Sequence, residues 1–238
     1  MNIFYVSEFD GEEIDLTEED SWHAAKVLRL KPGDRIVIVD GQGTWCEAEL
    51  VQTHPKNCHA MIISRSAGHE KRNYTLHVAV APTKNADRIE WFVEKATEIG
   101  IDHITPLLCR KSERKNINND RLRKVDIAAM KQSLKAYLPF IHNITPCEEF
   151  ILQPADGKKF IAHCHSSDLP FMGNLVSKGE AVTILIGPEG DFSAEEVLLA
   201  VKNGFTEITL GTSRLRTETA ALAACHTVAV MNNLDNGK

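Results

Sequence analysis

Long hydrophobic runs are missing from this sequence of 238 residues, and its first residues lack the basic, apolar stretch of a secretory leader. Both absences argue against a membrane protein and predict a soluble, cytoplasmic protein without a membrane partner. Internal repeats and low-complexity tracts are absent as well, which excludes repeat architectures. The length suits one large or two small domains, each with a real core.

Cysteine pairs of the C-x-x-C type are also missing, although the chain contains six cysteines. Cys58, Cys109 and Cys225 lie beside apolar residues, so we expect buried free thiols. Residues 163–165 (His-Cys-His) end a predicted strand, and the two histidines can share one face of it. No second pair follows at zinc spacing, so the sequence predicts no metal. No Ser/His/Asp order indicates a hydrolase.

The net charge of −6 by itself disfavours a nucleic-acid partner, but the charged residues are unevenly distributed along the chain. Residues 71–145 carry 14 lysines and arginines against 8 acidic residues, whereas the segments on either side are acidic. The densest basic run extends from Arg110 to Lys124. Because local patches rather than total charge bind phosphates, this run is a candidate RNA-binding surface. A solvated helix face with its adjoining loop is the alternative.

The N-terminal part of the chain is predicted to be a small β-rich domain. Thr17 and the acidic residues after it begin a short helix that extends to Leu30. Strands are predicted over 35–40, 44–51 and 59–64, with a hairpin at Gly41-Gln42-Gly43. A polar linker over residues 66–73 ends this domain, so we expect the first domain to span residues 1–69.

From Tyr74 onward the pattern changes to alternating strands and helices, which is typical of a mostly parallel sheet with crossover helices. Gly100 ends the first of these helices, and Ser193 with Glu196 forms a capping box that begins a later one. The predicted strands are 76–81, 103–109, 159–162, 182–186 and 208–210, and the predicted helices are 85–99, 120–138, 194–203 and 217–231. In such sheets ligands bind at the carboxyl ends of the strands. The functional site is therefore expected there, within residues 70–238.

Gly187-Pro188-Glu189-Gly190 forms the first of two loops that follow predicted strands. Its glycines allow the backbone to approach a ligand, and backbone N–H groups at such a crossover are free to bind one. Glu189 and Asp191 would repel a phosphate, so a ligand with a positive centre or many hydroxyls fits better. A plain strand-to-helix turn is the alternative.

The second loop follows the strand 208–210 and leads into an alanine-rich helix that begins near Ala220. Arg214, Arg216 and Glu218 alternate along this loop, close to a predicted core. Charges in such a position are usually paired, so a structural ion pair between Arg216 and Glu218 is one interpretation and a binding site is the other.

Together these residues resemble the RsmE family of 16S rRNA uracil-N3 methyltransferases, which belong to the SPOUT class. The most specific part of the resemblance is carried by Gly187-Pro188-Glu189-Gly190, Leu210-Gly211 and the segment from Leu215 to Ala220. Weaker similarity lies in His23 with residues 27–34, in Lys84 with residues 87–88, in residues 94–100 and in Gln132-Ser133. The resemblance thus covers nearly the whole chain. Asp191 stands where the family usually has a second glycine.

The resemblance implies an α/β fold with a SPOUT-type, trefoil-knotted parallel sheet and helices on both of its faces. It also implies a small N-terminal PUA-like β-barrel as the RNA-binding domain, so that the domain limits become 1–69 and 70–238. Reasoning from the pattern of strands and helices alone would disfavour a knot, because knotted folds are rare. The implied cofactor is S-adenosyl-L-methionine, and the implied partners are 16S rRNA, in the small ribosomal subunit, and a second copy in a homodimer.

Site residues follow from the resemblance position by position. Expected cofactor contacts are His163, Cys164, Gly187, Pro188, Glu189, Gly190, Leu210, Gly211, Leu215, Arg216, Thr217 and Thr219. Expected RNA contacts are His23, Lys26, Arg29, Lys84, Arg88, Arg110, Lys111 and Arg114. Methylation of uracil N3 requires removal of its proton, so Arg216 is the candidate cation that stabilises the anion and Glu218 the candidate base. The alternatives are a SPOUT methyltransferase that modifies another RNA position or atom, and a non-catalytic RNA-binding ribosome assembly factor.

Overall fold

The computed structural model of the chain describes residues 1–166 and 168–234. It divides into two compact units. Residues 1–71 and 127–138 form the first unit, and residues 72–126 and 139–238 form the second. No helix in the described part of the chain is long and apolar enough to cross a membrane.

The first unit is built around a curled five-stranded sheet. Its strands are β1 (Ile3–Tyr5), β2 (Glu13–Asp15), β3 (Arg35–Val39), β4 (Trp45–Gln52) and β5 (His59–Ser66). They are ordered β1-β3-β4-β5-β2, with β1 and β3 parallel and the other pairs antiparallel. Two register irregularities between β4 and β5 bend the sheet, as β-bulges do. The resulting half-barrel agrees with the N-terminal fold that the resemblance implies.

The single helix of residues 1–71, α1 (Glu18–Trp22), begins where the sequence predicts. The Thr17 side chain accepts the backbone N–H of Asp20 at 3.1 Å and caps the helix. The helix continues as one π-helical turn over His23–Val27. It stops short of the predicted Leu30 because Arg29 adopts a left-handed backbone conformation with φ of 55°.

Residues 127–138 complete the core of the first unit, although they follow α1 by about a hundred positions in the sequence. Met130 and Ala136 are fully buried and pack in one apolar cluster with Ile3, Val37 and Val39. The sequence predicts a domain change near residue 69 and carries no signal for this later segment.

The second unit contains strands β6 to β12 and most of the helices. The strands are β6 (Thr75–Val80), β7 (His103–Leu108), β8 (Phe140–Ile141), β9 (Thr145–Pro146), β10 (Lys158–Ala162), β11 (Ala181–Ile186) and β12 (Thr206–Ile208). The helices are α2 (Ala86–Ile99), α4 (Cys147–Leu152), α5 (Ala194–Lys202) and α6 (Thr217–Asn233). α3 (Asn119–Gln132) begins in this unit and ends in the first, and a short 3-10 turn covers Met172–Asn174.

All strand pairs in the second unit are parallel, in the order β12-β10-β11-β6-β7-β8, with β9 also on β7. Alternate residues of β6 belong to two different cores: Val78 and Val80 pack with residues of α2 and α6, whereas Ala79 packs with residues of α4 and α5. Helices therefore cover both faces, which confirms the predicted α/β class with a parallel sheet. The trefoil knot stays a prediction from the resemblance.

Sequence patterning misses the shortest elements, one strand end and one helix end. The helix predicted over 120–138 ends at Gln132, because Leu134 adopts a left-handed backbone conformation with φ of 56°. β1 and β2 have three residues each and β8 and β9 have two, which is too short for an alternation to stand out. The six-residue helix α4 is missed for the same reason. β12 ends at Ile208 rather than at the predicted Leu210, because the N–H of Thr209 turns to the carbonyl of Pro170.

Candidate active site

Three neighbouring strand ends form the floor of a cavity of about 370 Å³. Ala162 at the end of β10 lies in register with Ile186 of β11 and with Ile208 of β12, and all three residues line the cavity. Parallel strands bring their carboxyl ends to one edge, so the loops that follow them meet there.

Ten of the twelve residues expected to contact the cofactor line this cavity, and Gly190 and Thr219 are the two that do not. The cavity also takes in residues that the sequence did not single out, among them Ala162, Ile186 and Thr209. They were missed because only the packing of three separate strands and their loops brings them to one wall.

Asp191, the residue that departs from the family pattern, joins two of these loops. Its carboxylate accepts the N–H of Cys164 at 2.9 Å and the N–H of Phe192 at 2.8 Å. Its backbone is left-handed, with φ of 62°, a conformation that favours glycine and that aspartate tolerates better than most residues. The substitution therefore keeps the loop shape and adds a connection between the ends of β10 and β11.

Close packing against neighbouring side chains explains why glycine occupies two positions of the first loop. A Cβ on Gly187 would lie 3.0 Å from the ring of Phe192, and a Cβ on Gly190 would lie 3.2 Å from the Cβ of Lys111. The Lys111 ammonium group donates to the carbonyls of Gly190 (3.0 Å) and Phe192 (3.1 Å), so it braces the loop from outside. Both glycines thus permit close approach, but to neighbouring side chains.

The second loop is tied to the first through Thr217, whose hydroxyl donates to the carbonyl of Gly187 at 3.1 Å. Gly211 has φ of 130°, and a Cβ there would meet nothing within 4 Å. Its glycine is therefore required by backbone conformation rather than by lack of space.

The charged residues of the second loop do not pair with each other. Glu218 is buried, and its Oε1 lies 3.7 Å from Nε of Arg88, while its Oε2 has no hydrogen-bond partner. Of the two interpretations that the sequence leaves open for this loop, the ion pair between Arg216 and Glu218 is therefore wrong. Within the described residues neither Arg214 nor Arg216 has a carboxylate within 4 Å, and both line the cavity. Glu218 does not reach the cavity wall.

The two histidines that follow β10, His163 and His165, connect the end of this strand to neighbouring segments. His163 Nε2 lies 3.0 Å from a carboxylate oxygen of Glu207, and its Nδ1 accepts the N–H of His165. The His165 ring in turn lies 3.0 Å from the carbonyl of Phe192. With these partners the two rings are positioned as structural groups beside the cavity.

A cluster with metal-ligand side chains does occur elsewhere, where the buried Cys109, Cys147 and Glu196 lie within 4.8 Å of one another. The hydrogen bond with Cys147, followed by burial, raises the pKa of the Cys109 thiol. Both oxygens of Glu196 already accept backbone N–H groups, from Arg110 and Ser193. The Cys109 thiol is thus held in its neutral form, and the cluster is a hydrogen-bonded part of the core.

The expected RNA-binding side chains fall into two groups. His23, Lys26 and Arg29 of the first unit are exposed and have no side-chain partner among the described residues. The basic side chains of the second unit are engaged within the protein. Lys84 pairs with Glu113, Arg88 with Glu218, Arg110 with Glu148 and Glu195, and Arg114 with the carbonyls of Thr83 and Lys84, while Lys111 braces the first loop.

The charged side chains on the cavity wall fit S-adenosyl-L-methionine. This molecule carries a sulfonium and an ammonium cation, one carboxylate, and no phosphate. The cavity wall offers the carboxylates of Glu189 and Asp191 together with the unpaired guanidinium groups of Arg214 and Arg216. Opposite charges are therefore available for both kinds of charge on the cofactor.

Comparison with known proteins agrees with this chemistry. A family model described as an RNA methyltransferase domain matches residues 70–229, and one described as an RNA methyltransferase PUA domain matches residues 16–63. The chain is 29% identical to ribosomal RNA small subunit methyltransferase E of Rickettsia conorii, over 94% of this chain and 92% of that protein. The protein of the same name from Bacillus subtilis is 25% identical, over 93% of this chain and 91% of that protein.

Solved structures show the same relationship. A probable rRNA-methyltransferase from Porphyromonas gingivalis superposes with a TM-score of 0.91 at 35% identity, over 98% of both chains. Ribosomal RNA small subunit methyltransferase E from Neisseria gonorrhoeae, solved with bound S-adenosyl methionine, superposes with a TM-score of 0.85 at 25% identity, over 97% of both chains. This chain therefore belongs to the RNA methyltransferase family, in the RsmE group, and is an S-adenosylmethionine-dependent rRNA methyltransferase.

Proposed function

We propose that this enzyme methylates N3 of one specific uridine in 16S rRNA of the small ribosomal subunit, in the cytoplasm. The observation that carries the proposal is the cavity at the ends of β10, β11 and β12, where carboxylates and unpaired arginines face one space. The relatives named ribosomal RNA small subunit methyltransferase E support the choice of RNA. The resemblance of the two loops to the RsmE family supports the choice of atom.

The loops that line the cavity hold the cofactor, and the ten expected residues on the cavity wall are its contacts, whereas Gly190 and Thr219 belong to the same loops but lie outside the wall. When bound, S-adenosyl-L-methionine supplies an electrophilic methyl group, which leaves its bonding electron pair on sulfur. Glu189 and Asp191 face the positive charges of the cofactor. Asp191 also keeps the two loops in register through Cys164, so the cavity is shaped before the cofactor enters.

Removal of the N3 proton is the chemical step that the protein must assist, because a neutral imide nitrogen is a poor nucleophile. Arg216 is free of carboxylate partners in the described structure and is proposed to stabilise negative charge on a uracil carbonyl oxygen. Since N3 lies on the Watson–Crick edge, the target uridine is unpaired or flipped out when it reacts.

RNA binding is proposed to involve both domains. Residues 1–69 act as the PUA-like RNA-binding domain, through His23, Lys26 and Arg29, which are exposed and unpartnered in the described structure. Residues 70–238 act as the methyltransferase domain, with a trefoil knot. Lys84, Arg88, Arg110, Lys111 and Arg114 are proposed to add phosphate contacts there by exchanging some of their internal partners.

A homodimer is the proposed assembly. The helix α6 is apolar on several sides, and Val230 and Leu234 near its end remain 38% and 47% exposed. An all-round apolar helix at the surface favours burial against another chain.

Mass-spectrometric mapping of 16S rRNA tests the proposal. Small subunits from a deletion strain are incubated with the purified enzyme and S-adenosyl-L-methionine, and the modified nucleoside is identified and located. We expect one 3-methyluridine. A methyl group on a ribose or on another base would replace this proposal with a different SPOUT activity. RNA binding without any methyl transfer would favour an assembly factor.

A further inference from the structure

A second cavity lies beside the cofactor cavity. It has a volume of about 360 Å³ and is lined by Lys84, Asn85, Arg88, Glu113 and Glu189, which together are called the cleft from here on. Arg88 and Glu189 also line the cofactor cavity, so these two side chains form the boundary that the two spaces share.

The loop that carries the cleft is held in place from two sides. The backbone N–H of Lys84 donates to Oε1 of Glu189 at 3.0 Å, and Arg114 donates to the carbonyls of Thr83 and Lys84. Asn85 caps α2 by accepting the N–H of Asp87. Glu189 and the start of α2 are therefore connected before any ligand binds.

Glu218 forms an ion pair with Arg88 from the buried side of the cleft. The buried Oε1 of Glu218 lies 3.7 Å from Nε of Arg88, and more than a third of the Arg88 side chain stays exposed (37%). Since Glu218 lines neither cavity, it acts through Arg88 and is a positioning residue rather than the base expected from the sequence.

The boundary pair matches the edge of uracil that reacts. That edge presents one N–H donor, at N3, between two carbonyl acceptors. A carboxylate accepts from the N–H, and a guanidinium group donates to a carbonyl oxygen. Among the cleft residues only Glu189 and Arg88 offer these functions next to the cofactor cavity, because Glu113 lies 3.1 Å from the Lys84 ammonium group and lines the cleft alone.

We propose that the cleft takes the target uridine, with its ring N3 at the boundary, where Glu189 removes the N3 proton and Arg88 binds a carbonyl oxygen of the ring. This inference rests on the proposed function. The N3–H bond breaks, the proton moves to Oε2 of Glu189, and the electron pair stays on N3, delocalised over the two carbonyl oxygens. Oε2 has no other partner in the described structure, and water later takes up the proton.

The other charges of the two cavities have distinct roles in this arrangement. Arg216 lines the cofactor cavity only, so it serves the second carbonyl oxygen from the cofactor side. The Lys84 side chain is mostly exposed at the rim and pairs with the phosphate or ribose side of the nucleotide. The cleft thus takes a flipped-out pyrimidine nucleotide with an ionisable N3, and cytosine, which lacks an N3 proton, is not activated.

Single-turnover methylation at saturating cofactor tests the proposal through its pH dependence. Glu189→Gln should lower the rate at pH 7 by roughly a hundredfold or more, since a positioned base contributes about that much. Its rate should then rise about tenfold per pH unit, because only uridine that ionises unaided still reacts. Affinity for RNA without cofactor, measured by fluorescence anisotropy, should change little.

Glu113→Gln is the matched control, since it makes the same change in the same cleft away from the boundary. It should change RNA affinity, because Lys84 loses its partner, but keep the pH profile of the natural enzyme. RNA with 5-fluorouridine at the target, whose N3–H is more acidic, should speed up Glu189→Gln at least tenfold and the natural enzyme much less.

Three outcomes would overturn the inference. These are a natural pH profile in Glu189→Gln, no selective rescue by 5-fluorouridine, and a defect confined to cofactor affinity measured by calorimetry. A thermal unfolding midpoint close to that of the natural enzyme verifies that Glu189→Gln is folded. If the natural enzyme forms no 3-methyluridine at all, the proposed function fails. If it does and Glu189→Gln is unaffected, the inference about the cleft fails alone.

Discussion

Single residues in this enzyme connect elements that are far apart in the sequence. Asp191 bonds the end of β10 to the loop after β11, Lys111 braces the same loop, and Glu218 holds Arg88 at the cavity boundary. The sequence singles out each of these three side chains but indicates none of these contacts. Their roles come from partners that only the fold supplies.

Cys164 offers a direct test of the cofactor cavity. It is the one exposed thiol among the six free cysteines, and it lines that cavity. We expect iodoacetamide to label one thiol rapidly and the five buried thiols only on unfolding. Saturating S-adenosyl-L-methionine should slow the rapid phase at least several-fold, as measured by mass spectrometry.

The control for this labelling is Cys164→Ser, which should lack the rapid phase. If Cys164 reacts equally fast with and without the cofactor, the end of β10 does not border the bound molecule.

Neighbouring strands of the parallel sheet place three histidines together. His77 on β6 pairs in register with His103 on β7, and the ring of His142 lies 5.3 Å from that of His77. Burial, followed by the nearby His103 and His142, lowers the pKa of His77 to about 3, and burial lowers that of His142 as well. The sheet therefore requires the rings of His77 and His142 to be neutral.

The free energy of unfolding should consequently decrease as the pH falls below 6.5. The folded-state pKa of His77 lies below its unfolded value of 6.5, so its contribution is complete above pH 6.5 and is lost as pH falls towards 3. Between pH 7.5 and pH 5 the loss from this residue is about 2 kcal/mol. Urea unfolding of the natural protein and of His77→Gln at both pH values measures it, and an equal pH dependence in the two proteins would contradict the assignment.

At the scale of the whole molecule, each unit has its own apolar core, and one of them is completed by a distant segment. Met130 is fully buried in the first unit, and Met172 is fully buried in the second. The two methionines provide matched probes, because each substitution leaves a cavity of the same kind in a different core.

Met130→Ala should destabilise the first unit by about 2–5 kcal/mol, the usual cost of such a cavity. Hydrogen exchange should then accelerate in β3 and β4, whereas Met172→Ala should accelerate exchange in β6 and β11. If Met130→Ala leaves β3 as protected as before, residues 127–138 do not contribute to the stability of the first unit.

Assembly is the remaining property at this scale. Sedimentation equilibrium at micromolar concentration should give about twice the chain mass if α6 is buried between two copies. Val230→Glu, on the exposed part of that helix, should then shift the protein towards the monomer. A natural enzyme that is strictly monomeric and still methylates would show that the dimer is not required.

Sequence patterning alone determined the longer elements, the parallel α/β class and the two loops of the site. α2 and α5 carry caps and a complete apolar face within one segment, so local physics defines their limits. The resemblance added the family, the cofactor and most of the cavity residues, because contiguous motifs carry them.

Tertiary structure alone decided which charges meet. The sequence leaves an ion pair between Arg216 and Glu218 open as one interpretation, but the backbone direction at the start of α6 turns Glu218 inward to Arg88 and leaves Arg216 in the cavity. The second cavity arises from Lys84, Glu113 and Glu189, of which the first and the last are 105 residues apart. Such contacts depend on packing between elements, and no local pattern records that packing.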